Sequence, residues 1–272
     1  MIIRVLGTVS PYSKGEKNCP GFLVEYNDKK ILLDCGNGVT RLLDFPNDLK
    51  NLKVFISHLH PDHCGDLTSL FNALYVYKKH GYVEDKIKVY LPDGDKESVK
   101  TYEEDFDDPD KINTIYEDQN SLNYRYFEQF EESCPIEIIP YSKLKENENN
   151  MTIETMKTLH GIDTYAFKIT TNDGILTYSA DTGFNKNIIN FAKDSDLLIC
   201  ESTFLRGQSR EKNTHLFAYE AGRIAREAKV KKLLITHFWP EIDKELYLKE
   251  AKEEFENVEV AEENKKLVLR RN

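Results

Sequence analysis

The sequence predicts an α/β protein in which two β-sheets pack face to face, with helices on the outside. Three observations carry that prediction. Strand hairpins followed by strand–helix alternation occur twice along the 272 residues, which suggests two similar halves. Several apolar runs that read as strands end in a histidine or a carboxylate. One of them leads into His58-Leu59-His60-Pro61-Asp62-His63, which holds three of the seven histidines.

The elements follow in order. Met1 to Leu6 reads as a first strand running into a Gly7 turn. Residues 21–26 and 30–33 form a hairpin through Asn27-Asp28. Asp34-Cys35-Gly36-Asn37-Gly38 is a glycine-rich turn; a tight strand-to-helix corner explains it without a phosphate cradle. Residues 52–56 are a buried strand, 65–79 a helix with Leu67, Leu70, Phe71, Leu74 and Tyr75 at helical spacing, and 86–91 a strand. Residues 93–134 change character, being acidic, tyrosine-rich and weakly periodic. Tyr102, Phe106, Ile112, Ile115 and Tyr116 argue for a helical insertion rather than a linker. Its charges suit a solvated face, and its aromatics suit a lid or a dimer contact.

Beyond it, 136–141, 151–159, 165–170 and 175–179 are strands, the last two joined by Asn172-Asp173-Gly174. Residues 188–192 fall in a short helix, 197–200 in a buried strand, 214–229 in a helix and 232–236 in another buried strand. A helix over 244–254 and a strand over 266–269 complete a domain that spans residues 1–272.

At 40% hydrophobic the chain can bury a full core. A net charge of −10 argues against a general nucleic-acid surface, which needs a basic face to release counterions. A small anionic substrate stays open, because bound metals reverse the local sign. Cys19, Cys35, Cys64, Cys134 and Cys200 are scattered and form no CxxC, so reduced, mostly buried thiols in the cytoplasm are expected. Cys64 is either a soft ligand or a small residue opening a helix. No charged-then-apolar leader and no membrane-spanning run is visible.

Imidazole and carboxylate together suit zinc and similar divalent metals. His58 and His60 alternate with Leu59 and point the same way in an extended backbone. Asp62 and His63 lie past Pro61, where the chain turns, so they can face a second metal. His160, Asp181, Glu201 and His237 each stand at the end of a strand, and strand ends converge on one rim of a sheet. Counting His215 as well, six histidines then have a chemical role available, with His80 a surface exception.

His58-x-His60-x-Asp62-His63, followed by His160, Asp181 and His237, resembles the metallo-β-lactamase superfamily over nearly the whole chain. The resemblance implies an αββα sandwich of two mixed sheets flanked by helices. It also implies that His58, His60 and His160 hold one metal, that Asp62, His63 and His237 hold a second, and that Asp181 bridges them. Zinc is the expected metal, and manganese would tolerate the same donors.

Finer features resemble the tRNase Z-like branch. They are Leu6-Gly7-Thr8 with Pro11, Lys14, Gly15 and Asn18, the stretch from Leu159 to Phe167, and Glu201-Ser202-Thr203-Phe204 with His215 opening the next helix. There the glutamate orients a histidine that serves phosphodiester cleavage, which implies that Glu201 holds His215 as the acid while Asp62 serves the attacking water. A plain first-turn helix residue is the alternative for His215. Two departures stand out. Residues 161–180 hold only a hairpin where that branch carries a basic tRNA-gripping arm, and Cys200 replaces the histidine before the glutamate.

Thr8-Val9-Ser10-Pro11-Tyr12, Asn18-Cys19-Pro20-Gly21 and the arm-less layout are most similar to the anti-Pycsar cyclic nucleotide phosphodiesterases, found in phage and bacteria. That resemblance implies hydrolysis of cyclic mononucleotides to 5′-mononucleotides and erasure of an anti-phage signal. It further implies a homodimer, a small nucleotide substrate with no stable nucleic-acid complex and no membrane, and a cytoplasmic site of action (the host's, for a phage-encoded chain). A tRNase Z-like endoribonuclease, or a lactonase or thioesterase on the same scaffold, is the alternative. Arg206, Arg210 and Lys212 are candidates for phosphate contacts or for surface solubility. Tyr12 and Asn18 are candidates for the base or for the core.

Overall fold

The computed structural model describes residues 1–92, 119–148 and 150–271. One seven-stranded sheet holds β1 (Ile2–Gly7), β2 (Gly21–Tyr26), β3 (Lys29–Leu33), β4 (Leu52–Phe55), β5 (Ile87–Pro92) and β6 (Ile136–Tyr141), with the late strand β14 (Lys266–Val268) beside β1. The other runs in sequence order through β7 (Lys145–Glu148), β8 (Met151–Lys157), β9 (Tyr165–Thr171), β10 (Gly174–Tyr178), β11 (Leu197–Glu201), β12 (Leu233–Thr236) and β13 (Val258–Val260).

Each sheet is half antiparallel and half parallel. β14 to β3 and β7 to β10 pair antiparallel, and short turns suffice for the hairpins among them. β3 to β6 and β10 to β13 pair parallel, which needs longer crossovers. In both sheets these crossovers carry helices. α1 (Pro61–Cys64), α2 (Leu67–Lys79) and α3 (Gln119–Glu128) belong to the first, and α4 (Lys186–Ala192), α5 (Ala218–Glu227) and α6 (Lys244–Lys252) to the second.

The inner faces meet in one core. Phe22, Val24 and Phe55 of the first sheet pack with Ile153, Phe167 and Tyr178 of the second. Phe55 stacks on Tyr90 at 4.2 Å and meets Phe167 edge-on at 6.0 Å across the sandwich. Separate apolar layers lie under the helices on each outer face. This burial fixes the register of the strands, and so fixes where the strand ends project.

Several boundaries differ from the sequence expectation. The helix expected over 214–229 begins at Ala218, because Glu220 accepts the Phe217 N–H and Leu216 is drawn into backbone pairing with Phe204. His215 therefore lies ahead of the helix and not in its first turn. The helix expected from residue 65 begins at Leu67, after the separate turn of α1. β7 and β13 were not expected. β7 is a polar edge strand reading KENE, with no apolar alternation. Of the insertion, residues 93–118 lie outside the described residues, and with them Tyr102, Phe106, Ile112, Ile115, Tyr116 and the lid or dimer contact expected there. Its remainder is helical and buries Tyr124 and Phe127, the latter edge-on to Phe71 of α2 at 6.2 Å. All five cysteines are free and buried. No described helix is long and apolar enough to cross a membrane.

Candidate metal centre

The strand ends and the HLHPDH loop meet on one rim of the sandwich. β4 delivers the chain through Ile56 and Ser57 into His58, and Pro61 opens α1, where it supplies the fixed φ of a first helical residue. α1 turns Asp62 and His63 inward, both buried. Gly36 lets the glycine-rich corner approach this loop; a Cβ there would stand 2.0 Å from the Asp62 carbonyl oxygen. His160 follows β8, Asp181 follows β10, Glu201 ends β11 and His237 follows β12. The backbone is in the left-handed region at Asp34 (φ 58°), Ala180 (φ 50°) and His237 (φ 67°), three of the nine non-glycine residues that adopt it among the described residues.

Two groups of ligand atoms result. His58 Nε2 lies 3.0 Å from His60 Nδ1, which lies 3.2 Å from His160 Nε2. Asp181 Oδ2 is 3.6 Å from His58 Nε2 and 3.9 Å from His160 Nε2. In the second group, His63 Nε2 and His237 Nε2 are 3.2 Å apart, and Asp62 Oδ2 is 3.6 Å from each. Asp181 Oδ1 completes it, 3.3 Å from His63 and 3.1 Å from His237. Asp181 thus turns one oxygen to each group. Tetrahedral donors about 2.0–2.1 Å from a common zinc ion stand roughly 3.3–3.4 Å apart, close to these separations.

The outer hydrogen bonds show why such groups fit cations. Asp34 accepts from Ser57 N (2.7 Å), Ser57 Oγ (2.9 Å) and Tyr178 OH (2.7 Å), and from His63 Nδ1–H (2.8 Å). Ser57 Oγ, having donated to Asp34, accepts from His58 Nδ1–H (3.0 Å). Thr203 Oγ1 donates to Glu201 Oε2 (2.7 Å) and so accepts from His237 Nδ1–H (2.8 Å). His160 Nδ1–H donates to the Thr214 carbonyl (3.0 Å). Four imidazoles therefore spend their N–H groups outward and turn lone pairs toward one another. Asp181 Oδ1 is buried with no hydrogen-bond partner. Converging lone pairs and an orphaned carboxylate oxygen repel unless cations lie between them.

The charges agree. Burial, reinforced by the neighbouring imidazoles, pushes His58 well down and His60 to about 4. Burial also opposes charge on His63 and His237, but the carboxylates around them outweigh it, lifting His63 and taking His237 to about 10. Protons thus gather where positive charge is wanted.

His215 stands beside this centre, its ring 4.9 Å from that of His160. Its Nδ1–H donates to Glu201 Oε1 at 3.0 Å, and its side chain is 22% exposed. Glu201 is fully enclosed and also accepts from Thr182 N (2.8 Å) and Leu216 N (3.1 Å). Burial lowers the His215 pKa, but the Glu201 charge, the hydrogen bond to it and the Asp181 charge together outweigh burial, so the net direction is upward.

The structure brings together all nine residues singled out in the sequence. It adds Asp34, Ser57, Ser10 and Thr203, which sequence reasoning missed; Ser10 Oγ donates to Asp62 Oδ2 at 2.8 Å. Other expectations change. Cys64 and Cys200 are core thiols, pushed up by burial, and Cys64 Sγ donates to the His60 carbonyl at 3.2 Å. Arg206 pairs with Glu253 at 2.8 Å, and Arg210 pairs with Glu220 and donates to the His215 carbonyl at 2.9 Å, so both arginines are engaged within the protein; Lys212 is exposed. Asn18 is buried, braced between the Leu6 carbonyl and Arg41. Tyr12 is 42% exposed and belongs to no core.

Comparison with known proteins follows the same lines. Residues 1–259 match the family described as anti-Pycsar protein Apyc1. The chain is 29% identical over 241 residues to the probable metallo-hydrolase YhfI of Bacillus subtilis, covering 87% of this chain and 86% of that protein. It is 28% identical over 321 residues to a ribonuclease Z of Clostridium perfringens, covering 98% of each. The crystal structure of YhfI, a metallo-β-lactamase fold protein, superposes with a TM-score of 0.79 at 26% identity over 98% of both chains. Human short-form tRNase Z shares the fold, with a TM-score of 0.70 at 17% identity over 99% of both. Fold and relatives together define a metal-dependent hydrolase of the metallo-β-lactamase fold. Within that class, the chain belongs to the anti-Pycsar protein Apyc1 family.

Proposed function

We propose that this enzyme is a dinuclear phosphodiesterase that opens 3′,5′-cyclic mononucleotides to 5′-mononucleotides. The observation that carries the reading is the Glu201–His215 pair. Seven other side chains fill the two ligand groups; His215 also lies within reach of Asp181 and His237, but its Nδ1–H is spent on Glu201, which leaves the Nε2 of this partly exposed imidazole for proton transfer. His58, His60 and His160 would hold one cation, and Asp62, His63 and His237 the other, with Asp181 between them. Bound there, two divalent cations would supply Lewis-acid polarisation of a phosphoryl oxygen and acidify a water.

The chain's own groups do the rest. In the metal-free protein burial raises the Asp62 pKa, but the nearby His63 and His237 charges win and bring it to about 2; with a cation in place of those protons its carboxylate would stay ionised and could take a proton from the attacking water. Ser10 fixes its orientation. The His215 Nδ1–H is committed to Glu201, which leaves Nε2 to protonate the departing ribose oxygen. Such acid catalysis is typically worth about 10²–10⁴-fold.

The family supports cyclic mononucleotides as substrates, erasure of an anti-phage signal as the role, and a homodimer as the working form. Zinc is the cation the imidazole-rich donor set favours, with manganese tolerated. The ribonuclease Z relatives favour a second reading, tRNA 3′ processing. Against it, residues 161–180 carry little beyond the β9–β10 hairpin, and the net charge is −10.

The test is a panel of cyclic mononucleotides, cyclic dinucleotides, bis(p-nitrophenyl) phosphate and precursor tRNA, with products identified by mass. The expected products are 5′-mononucleotides. His215→Ala should lose about 10²–10⁴-fold in kcat while metal content is retained. Cleavage of precursor tRNA with cyclic nucleotides untouched would replace this reading by the second. Full diesterase activity in the variant would remove His215 as the acid.

A further inference from the structure

We propose that Tyr12, Phe204 and Trp239 form the nucleobase subsite of this enzyme, supplied by the same chain that holds the metal ligands. The inference rests on the phosphodiesterase reading and names where the base of that substrate sits. Among the described residues, a cavity of about 550 Å³ is lined by Ser10, Tyr12, Thr203, Phe204, Gln208 and Trp239 together with Pro11 and Ser209. Its volume falls within the roughly 300–1,000 Å³ of small-ligand pockets.

Its position ties it to the chemistry. Ser10 donates to Asp62 and Thr203 accepts from His237, so two residues lining the cavity also contact the second ligand group. Trp239 lies two residues beyond His237. The Phe204 ring is 6.2 Å from that of His215. A nucleotide whose phosphate lay at the metal centre would carry its base one ribose away, and this cavity opens beside that centre.

Its surface is that of a stacking platform. Trp239 is 47% exposed and Tyr12 is 42% exposed, and they touch, with Trp239 Nε1–H donating to Tyr12 OH at 3.3 Å. The two loops that carry them are cross-braced. Ser10 N donates to the Phe238 carbonyl (2.9 Å), Lys17 Nζ to the Pro240 carbonyl (2.8 Å) and Lys14 Nζ to Glu241 (2.9 Å). Large aromatics held in solvent by rigid loops give flat contact area at little entropic cost on binding. The Gln208 amide oxygen accepts from Leu205 N at 2.5 Å, which leaves its NH₂ as a donor on the lining. Ring nitrogens and carbonyls on the edge of a base are acceptors that match it.

Trp239 is the only tryptophan in the chain, so its fluorescence reports this surface alone. Titrating metal-loaded enzyme with 5′-mononucleotides should quench it saturably, and ribose 5-phosphate should not. In turnover, the discriminating quantity is kcat/KM for a cyclic nucleotide divided by that for the base-less 1-deoxyribose 3′,5′-cyclic phosphate. Trp239→Ala and Tyr12→Ala should each lower this ratio by about 5- to 150-fold, the range that base–aromatic stacking supplies, and Trp239→Phe should restore most of it. An equal loss on both substrates would make the aromatics structural supports and overturn the subsite. So would an unchanged ratio, quenching by ribose 5-phosphate alone, or a signal that follows protein concentration in place of nucleotide, which would mark a contact between copies. Quenching by nucleotides without turnover of any cyclic diester would keep the subsite and remove the phosphodiesterase reading.

Discussion

The two ligand groups differ more in what surrounds them than in what they contain. Around His63, His237 and Asp62, each side chain is fixed from behind by a carboxylate or a hydroxyl, from Asp34, Thr203 and Ser10, and all three are buried. The first group leans on the Ser57 hydroxyl and a backbone carbonyl, and its His60 and His160 reach partial exposure. The second group is thus a rigid, strongly basic seat, because a carboxylate behind an imidazole raises its basicity and fixes its ring. The first is the more open seat, and His215 stands between the two, its ring 4.9 Å from that of His160 and 5.5 Å from that of His237.

Removing the shared ligand would break the comparison most severely. Asp181→Asn should weaken both positions together and lower turnover by on the order of 10³-fold or more, since one carboxylate serves both groups. Metal analysis after dialysis checks it; loss from one position alone would deny the bridge. Asp34→Asn should separate the positions. It removes the charge behind His63 and should weaken cation binding at the second seat by about 10–100-fold, with the first less affected. Competition with a chelator, followed as two release steps, reads this directly, and equal weakening of both steps would contradict the asymmetry.

How much of this was legible in the sequence depends on distance along the chain. His58 to His63 form a local cluster, visible without a fold. His160, Asp181, Glu201 and His237 could be read because each ends an apolar run. Asp34 obeys the same rule, standing directly after β3, but its glycine neighbours offered a sufficient structural reason for the turn. Only the parallel pairing of Leu33 with Phe55 shows that Asp34 and Ser57 lie side by side. The hydroxyls of Ser10 and Thr203 carry no sequence signal, since their partners are fixed by tertiary structure. The start of α5 was misplaced because helical propensity extends back through His215, while Glu201 and Phe204 hold that stretch by hydrogen bonds to Leu216. Arg210 reads in the sequence as a phosphate contact or a solubilising surface residue alike, and only the fold brings Glu220 within its reach.

The smallest expected effect is also the one that reads the asymmetry without any mutation. In metal-free protein the second seat must hold protons. Burial lowers the His237 pKa, but Asp181 and Asp62 outweigh it and bring it to about 10, and His63 moves the same way. A histidine whose folded value lies above the ordinary 6.5 stabilises the fold in full below pH 6.5, and that stabilisation is lost as pH rises toward the folded value. At the first seat the sign reverses. His60, lowered to about 4 mainly by burial and by the adjacent His160, costs stability as pH falls from 6.5 toward 4. The metal-stripped protein should therefore melt at progressively lower temperature from about pH 7 to 10, by roughly 3–5 °C per pH unit for each proton released. Metal-loaded protein should lose that slope, since a cation occupies the place of the proton. Scanning calorimetry of both forms across this range is decisive; a melting temperature that rises from pH 7 to 9 in the stripped protein would mean that the second seat does not hold the protons its carboxylates demand.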